Sequence, residues 1–239
     1  MCWITKLLHR LNSERSKGMS SSSNTSDLRS IAERLRRHDD TNYSRIAGEL
    51  GTNRAAVLIC LFQGKGGHLR VILTQRSSTI SSHSGEVALP GGKWEEGDDT
   101  HAATALREAN EEIGLDPSTV EILSILPPFY TKRHITVFPV IGIVWDISSF
   151  SPVLNASEVE SVFDVPLEMF LKNEKRREEK IELMGERFLV HYFDYQTEKR
   201  CYTIWALTAS ILIKAASIIY QRPPAFQEHK PTFWGRSRH

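Results

Sequence analysis

The stretch from Thr100 to Gly114 constrains the fold most, because a single helix there must satisfy two unlike demands. Ala105, Leu106, Ala109 and Ile113 recur at helical spacing as an apolar stripe; Thr100 opens the helix, Gly114 stops it and Pro117 bars its continuation. Beside the stripe Glu108, Glu111 and Glu112 stand at i, i+3 and i+4, so three carboxylates share one face a turn apart. Like charges at that spacing repel by roughly a few tenths of a kcal/mol per pair. The stripe needs an apolar surface, and the acids need a positive partner.

The flanking runs supply the surface. Arg54 to Phe62 and His68 to Gln75 are β-rich and apolar, and Gln63 to Gly67 between them reads as a hairpin turn. Those glycines lack the order of a phosphate loop, strand then glycines then Lys-Ser/Thr then helix. Thr119 to Ile125 and Ile135 to Asp146 read as further strands; Phe188 to Tyr195 alternates as another, paired near Cys201. A surface helix is expected from Asp27, as N-cap, to Arg37, with Leu28, Ile31, Ala32 and Leu35 inward and its arginines on a solvated face. Ser157 to Leu167 is expected to lead into a short helix, and Lys172 to Glu182 to be an exposed loop or helix end. Thr203 to Tyr220 has the length of a membrane span, but Lys214 sits inside it and Thr, Ser and Ala dilute it. A helix buried against the sheet is the expectation, hence an α/β protein with no membrane contact.

A length of 239 residues and 40% hydrophobic content suit one sizeable core plus extensions. The net charge of +1 gives no global field for nucleic acid, so an anionic small-molecule substrate must be met by local charge or a metal; a homo-oligomer stays open. Cys2, Cys60 and Cys201 have no metal-ligand spacing, and Cys60 and Cys201 read as small core residues in a reducing compartment. Residues 1–26 are basic, amphipathic and Ser-rich, and read as a disordered or transit-peptide-like extension. Such a start reads as a mitochondrial or plastid transit peptide, with a mitochondrial location the expectation, or a cytosolic one if translation starts at Met19 or the extension carries no address. The folded domain is placed at 27–225, with an irregular tail at 226–239.

Arg107, Glu108, Ala109, Glu111, Glu112, Gly114 and Leu115 match, position for position, the second half of the Nudix box, which the chain therefore resembles. Its first half departs: counting back from Arg107 puts Asp99 where the family has Glu, and the spacing to Gly92 is one residue too long. Leu73-Thr74-Gln75-Arg76-Ser77, Gly85 and Pro90-Gly91-Gly92 resemble the additional motif of the coenzyme A diphosphatase branch, with Ser81 and Leu89 replacing its Arg and Phe. Val159 to Leu167 and Tyr202 to Ala209 look like later blocks of that branch, its plant members above all.

The resemblance implies a Nudix α/β/α sandwich, a mixed β-sheet between helices, that hydrolyses the diphosphate of coenzyme A or acyl-coenzyme A to a phosphopantetheine and 3′,5′-ADP. A broad ADP-ribose, NADH or nucleotide pyrophosphatase, or an inactive binding module of the same fold, are the alternatives. It also implies Mg²⁺ or Mn²⁺, hard cations that take oxygen ligands, here Glu108, Glu111, Glu112 and a carbonyl of Gly91 or Gly92. The catalytic set is then Glu111, Glu108, Glu112 and Arg107, with Arg107 orienting the acids through Glu111 or Asp99. Arg76, Lys132 and Arg133 are the expected phosphate contacts; His83 is expected to be an ordinary loop residue.

Overall fold

The computed structural model describes residues 21–37, 53–79, 83–131, 134–183, 185–198 and 200–235. Its elements are α1 (Ser21–Arg37), β1 (Arg54–Gln63), β2 (Leu69–Arg76), β3 (Val87–Ala88), β4 (Gly91–Lys93), α2 (His101–Ile113), β5 (Val120–Ile125), β6 (Phe129–Tyr130) and β7 (Thr136–Val144). β8 (Val159–Pro166), β9 (Arg176–Leu183), β10 (Glu186–Gln196), β11 (Cys201–Trp205) and α3 (Ala206–Tyr220) follow.

The main sheet runs β3-β2-β1-β7-β5, with β4 on β1, β6 on β7 and β8 on β2. β1 and β7 are parallel and the other pairs antiparallel, so the sheet is mixed. Alternation along β1 divides the core. Ala56, Leu58 and Cys60 face Ala105, Ala109 and Ile113 of α2, while Ile59 and Leu61 face the layer that holds α1 and α3. All nine residues of β7 are buried, as expected of a strand covered on both sides. Pro139 sits in it where the outer edge passes from β6 to β5, the place where a missing N–H is tolerated. Sequence expectation and structure agree on the α/β/α sandwich.

Several expectations need correction. α1 begins at Ser21, before Asp27, so Asp27 is inside the helix rather than its cap. Its arginines are not merely solvated: Arg34 donates to the Ile219 carbonyl at the end of α3, Arg36 pairs with Glu121, and Arg29 lies 6.0 Å from the centre of the Trp145 ring. Ser157 to Leu167 does lead into a short helix, the 3-10 helix at Leu167–Leu171, and the part before it, Val159 to Pro166, is a strand. The charged run from Arg176 is a strand as well, because its partner β10 offers a continuous ladder that charge density alone does not reveal. With β10 and β11 it forms a separate three-stranded sheet.

Cys201 to Trp205 is β11, so the long apolar run is a strand and then a helix, as its Tyr-Thr-Ile-Trp content favours. Strand passes to helix with no intervening loop, and Ala206 at the junction has φ 51°. Cys201 is exposed on an edge strand and only Cys60 of this pair lies in the core, its thiol pushed up to about 12 by burial. No helix among the described residues is long and apolar enough to cross a membrane. The described part of the tail carries a 3-10 helix at Thr232–Gly235 and is docked: Phe226 packs on His191 and Phe193, and Leu189 N–H donates to the His229 carbonyl at 2.9 Å.

Candidate active site

α2 is fixed at both ends. The Thr100 hydroxyl accepts from Ala103 N–H at 3.0 Å, and Gly114 in the left-handed region lets its N–H and that of Leu115 return to Asn110 and Ala109. With Ala105, Ala109 and Ile113 buried in the sheet, the glutamates turn toward β4. β4 approaches β1 so closely that a Cβ on Gly91 would lie 2.3 Å from the Ala56 carbonyl oxygen. At Gly92 a Cβ would lie 2.3–2.5 Å from the carboxylate atoms of Glu108. Both glycines therefore let bare backbone stand against other groups, Gly92 against an acid.

The three glutamates differ in exposure. Glu112 is 3% exposed, the Glu108 side chain 13% and that of Glu111 54%. Burial pushes the Glu112 carboxyl up to about 8, and nearby Glu108 and Glu158 push the same way; Gly91 N–H, donating at 3.2 Å, and Arg76 oppose them. Burial also raises Glu108, against the pull of Arg107.

Arg107 holds the array together. Its Nε and Nη2 donate to the two Asp98 oxygens at 3.1 and 3.0 Å, its Nη2 to the Lys93 carbonyl at 2.9 Å, and its Nη1 to Glu108 and Glu111 at 3.2 and 3.1 Å. The expected pairing with Glu111 is present; the expected Asp99 contact is not, and Asp98 takes that place while Asp99 is exposed. Five residues separate Gly92 from Asp98, as in the family pattern, so the extra residue lies between Asp98 and Arg107. Fork-shaped pairing with Arg107 holds Asp98 below the usual carboxylate range and raises Arg107.

Arg76 reaches the same place from the end of β2. The β2–β8 register shifts between Gln75 and Arg76, the kind of irregularity that re-aims a side chain. Arg76 N–H donates to the Glu86 carbonyl, its own carbonyl accepts from Gly85 N–H, and its Nε is buried with no hydrogen-bond partner. Lys132 and Arg133 lie outside the described residues. His83 bonds Glu86 at 2.9 Å, as a loop histidine would.

Sequence reading missed Glu158. The loop before β8 is pinned to the last turn of α2 by Val153 N–H on the Ile113 carbonyl and Asn155 N–H on that of Glu112, both 3.0 Å. That brings Glu158, held by Asn155 at 3.2 Å, within electrostatic reach of Glu108 and Glu112. No local pattern marks it, since its placement depends on a loop docking forty residues away.

The donor set suits a hard divalent cation. Carboxylates gather against a glycine backbone, and burial holds the innermost of them, Glu112, toward its protonated form, a tendency that a bound cation would oppose. Among the described residues no three acid, cysteine or imidazole groups already converge as a ligand set, and Glu111 is turned to Arg107. One or two carboxylates with water and substrate phosphate completing the shell is the usual arrangement for Mg²⁺.

A mixed sheet between helices, with an acidic helix facing a glycine turn, defines the Nudix-type sandwich. Residues 52–184 match the family model described as NUDIX domain, and the chain belongs to the Nudix hydrolase family. Members of that family generally use divalent metal ions and act on small nucleotide derivatives. The chain is 62% identical over 180 residues to Nudix hydrolase 15, mitochondrial, of Arabidopsis thaliana, covering 75% of this chain and 63% of that protein. It is 60% identical over 178 residues to Nudix hydrolase 22, chloroplastic, of the same plant, covering 74% and 59%. The chain thus spans less than two thirds of either plant relative. Peroxisomal coenzyme A diphosphatase of Mus musculus is 38% identical over 197 residues, 81% of this chain and 80% of the mouse protein.

Proposed function

We propose that this chain hydrolyses the diphosphate of coenzyme A or acyl-coenzyme A, giving (acyl-)4′-phosphopantetheine and 3′,5′-ADP. The observation that carries the reading is the meeting of two motifs in one place: Ser77, from the segment before the box, donates its N–H at 2.7 Å to the carbonyl of Glu158, whose loop is pinned to Glu112 of the box by Asn155 N–H at 3.0 Å. The 38% identity to a protein named coenzyme A diphosphatase supports it.

In this reading Glu108, Glu111, Glu112 and the Gly92 backbone would hold Mg²⁺ or Mn²⁺, and the ion would supply positive charge against the diphosphate and lower the pKa of a bound water. Arg107 orients Glu108 and Glu111 and offsets their mutual repulsion, and its tie to Asp98 anchors the guanidinium between them. Arg76 brings a guanidinium to contact a phosphate oxygen, and Lys132 and Arg133, outside the described residues, are assigned to phosphate by their charge alone. One water adds across the P–O–P link: its oxygen stays on one phosphorus, the bridging oxygen leaves with the other, and a neighbouring carboxylate takes the released proton. Residues 1–26 serve as an organelle address, mitochondrial by analogy with one plant relative, and 27–225 as the catalytic domain.

Incubating the pure protein with Mg²⁺ or Mn²⁺ and coenzyme A, an acyl-coenzyme A, NADH, ADP-ribose or dNTPs tests the substrate. Coenzyme A derivatives should be cleaved fastest; their survival while ADP-ribose or NADH is hydrolysed would establish the broader pyrophosphatase instead. Glu111→Gln should abolish turnover with circular dichroism unchanged, and full activity in that variant would remove Glu111 from the catalytic set.

A further inference from the structure

β9 is the outer strand of the three-stranded sheet, and hydrolysis makes no use of it. The direction in which its backbone groups point can be read from its neighbour. Leu189, opposite Lys180, donates its N–H to the His229 carbonyl at 2.9 Å, away from β9; Asp194 donates instead to the Lys175 carbonyl at 3.0 Å, toward it. Opposed residues alternate between bonding one another and bonding outward, so Glu178, Lys180 and Glu182 turn their N–H and C=O groups away from β10, to an edge that no strand among the described residues pairs with.

Edge strands are ordinarily blunted by shortness, proline, a bulge or charge. β9 is eight residues long, lacks proline and keeps one register with β10 throughout. It does carry charge, but of alternating sign: Arg176, Glu178, Lys180 and Glu182 share one face and read plus, minus, plus, minus. That order is complementary to itself when reversed. A two-fold axis perpendicular to the sheet at Glu179 sets Glu178 against Lys180 of a second copy, twice. Arg176 and Glu182 stand opposed as well but add little, since Arg176 is 10% exposed, bonded to Glu178 and packed on Phe226, and Glu182 is paired with Arg187. Moving the axis to Glu178 would oppose Arg176 to Lys180, and moving it to Lys180 would oppose Glu178 to Glu182. The like-charged contact left at the axis is Glu179 with itself, and each Glu179 is already bonded by the Tyr192 hydroxyl at 3.0 Å.

We propose that β9 is a self-association edge on which a second copy of this chain docks its own β9, antiparallel, about a two-fold axis at Glu179. Backbone bonds supply the attachment and the alternating charges fix the register.

Sedimentation of the full chain over a dilution series, at low and high salt, tests this. A dimer that salt weakens is expected, and Glu178→Lys or Lys180→Glu should each weaken self-association about tenfold or more, since each replaces two attractions by two repulsions. An equimolar mixture of the two variants should recover the dimer as a heterodimer, and the double variant should recover it alone. Glu178→Lys also removes the Arg176–Glu178 pair, whereas Lys180→Glu breaks no ion pair among the described residues, so the latter serves if the former misfolds. A wild-type monomer throughout the series, single variants that dimerise as well as the wild type, or a mixture that stays monomeric would each overturn the proposal.

Discussion

Glu112 is where the chemistry of this site can be read from a single residue. Its carboxyl is 3% exposed and pushed up to about 8 from an ordinary 4.5, so between those values the folded protein keeps a proton that the unfolded chain has released. The sign follows: without metal, this group makes folding less favourable as pH rises from about 4.5 to about 8, by an amount on the order of a few kcal/mol. Thermal midpoints of the metal-free wild type should fall relative to Glu112→Gln between pH 5 and pH 8, and saturating Mg²⁺ should remove the difference. Parallel pH curves for the two proteins would show that Glu112 is not the proton-holding group. Helical spacing makes the three glutamates legible as a set, but not their unequal burial, which depends on how closely Gly91 and Gly92 let β4 approach. The choice of Asp98 over Asp99 was equally hidden, because counting along a sequence cannot say on which side of a loop an extra residue falls.

At the scale of elements, α2 delivers the acids and its ends decide whether it does so in register. Thr100→Ala removes the hydroxyl that accepts from Ala103 N–H and should lower stability by about 1 kcal/mol, a shift of roughly 2–4 °C for a chain of this size, with Thr100→Ser retaining most of it. Equal melting of the wild type and the alanine variant would mean that packing alone sets the start of the helix. α2 and the central strands were legible because their patterns repeat at 3.6 or 2 residues or run continuously apolar. β9 was not, since an exposed strand of alternating charge has no apolar period and declares itself only through β10. β11 was legible near Cys201 as the partner of the strand at Phe188 to Tyr195, but its end was not: Tyr202 to Trp205 and the helix after it are equally apolar, so composition drew no line between them.

Across the whole molecule the two sheets are joined by polar as well as apolar contacts. Arg70 on β2 pairs with Asp164 on β8 and donates to the Tyr195 hydroxyl of β10 at 3.0 Å, while Phe163 stacks on Tyr202 of β11 at 3.7 Å. Arg70→Ala leaves Asp164 half-buried without its partner and should lower unfolding free energy by about 2 kcal/mol, still in one transition. Two resolved transitions would show that the small sheet folds independently. The direct passage from β11 to α3 through Ala206 gears these parts together. Strand faces repeat every two residues and helix faces every 3.6, so a one-residue slip in β11 would swap its two faces and turn α3 by about 100°. Ile204, Leu212 and Ala216, all buried, would leave the core at the same moment. With no loop to act as a clutch, the helix enforces the register of the strand.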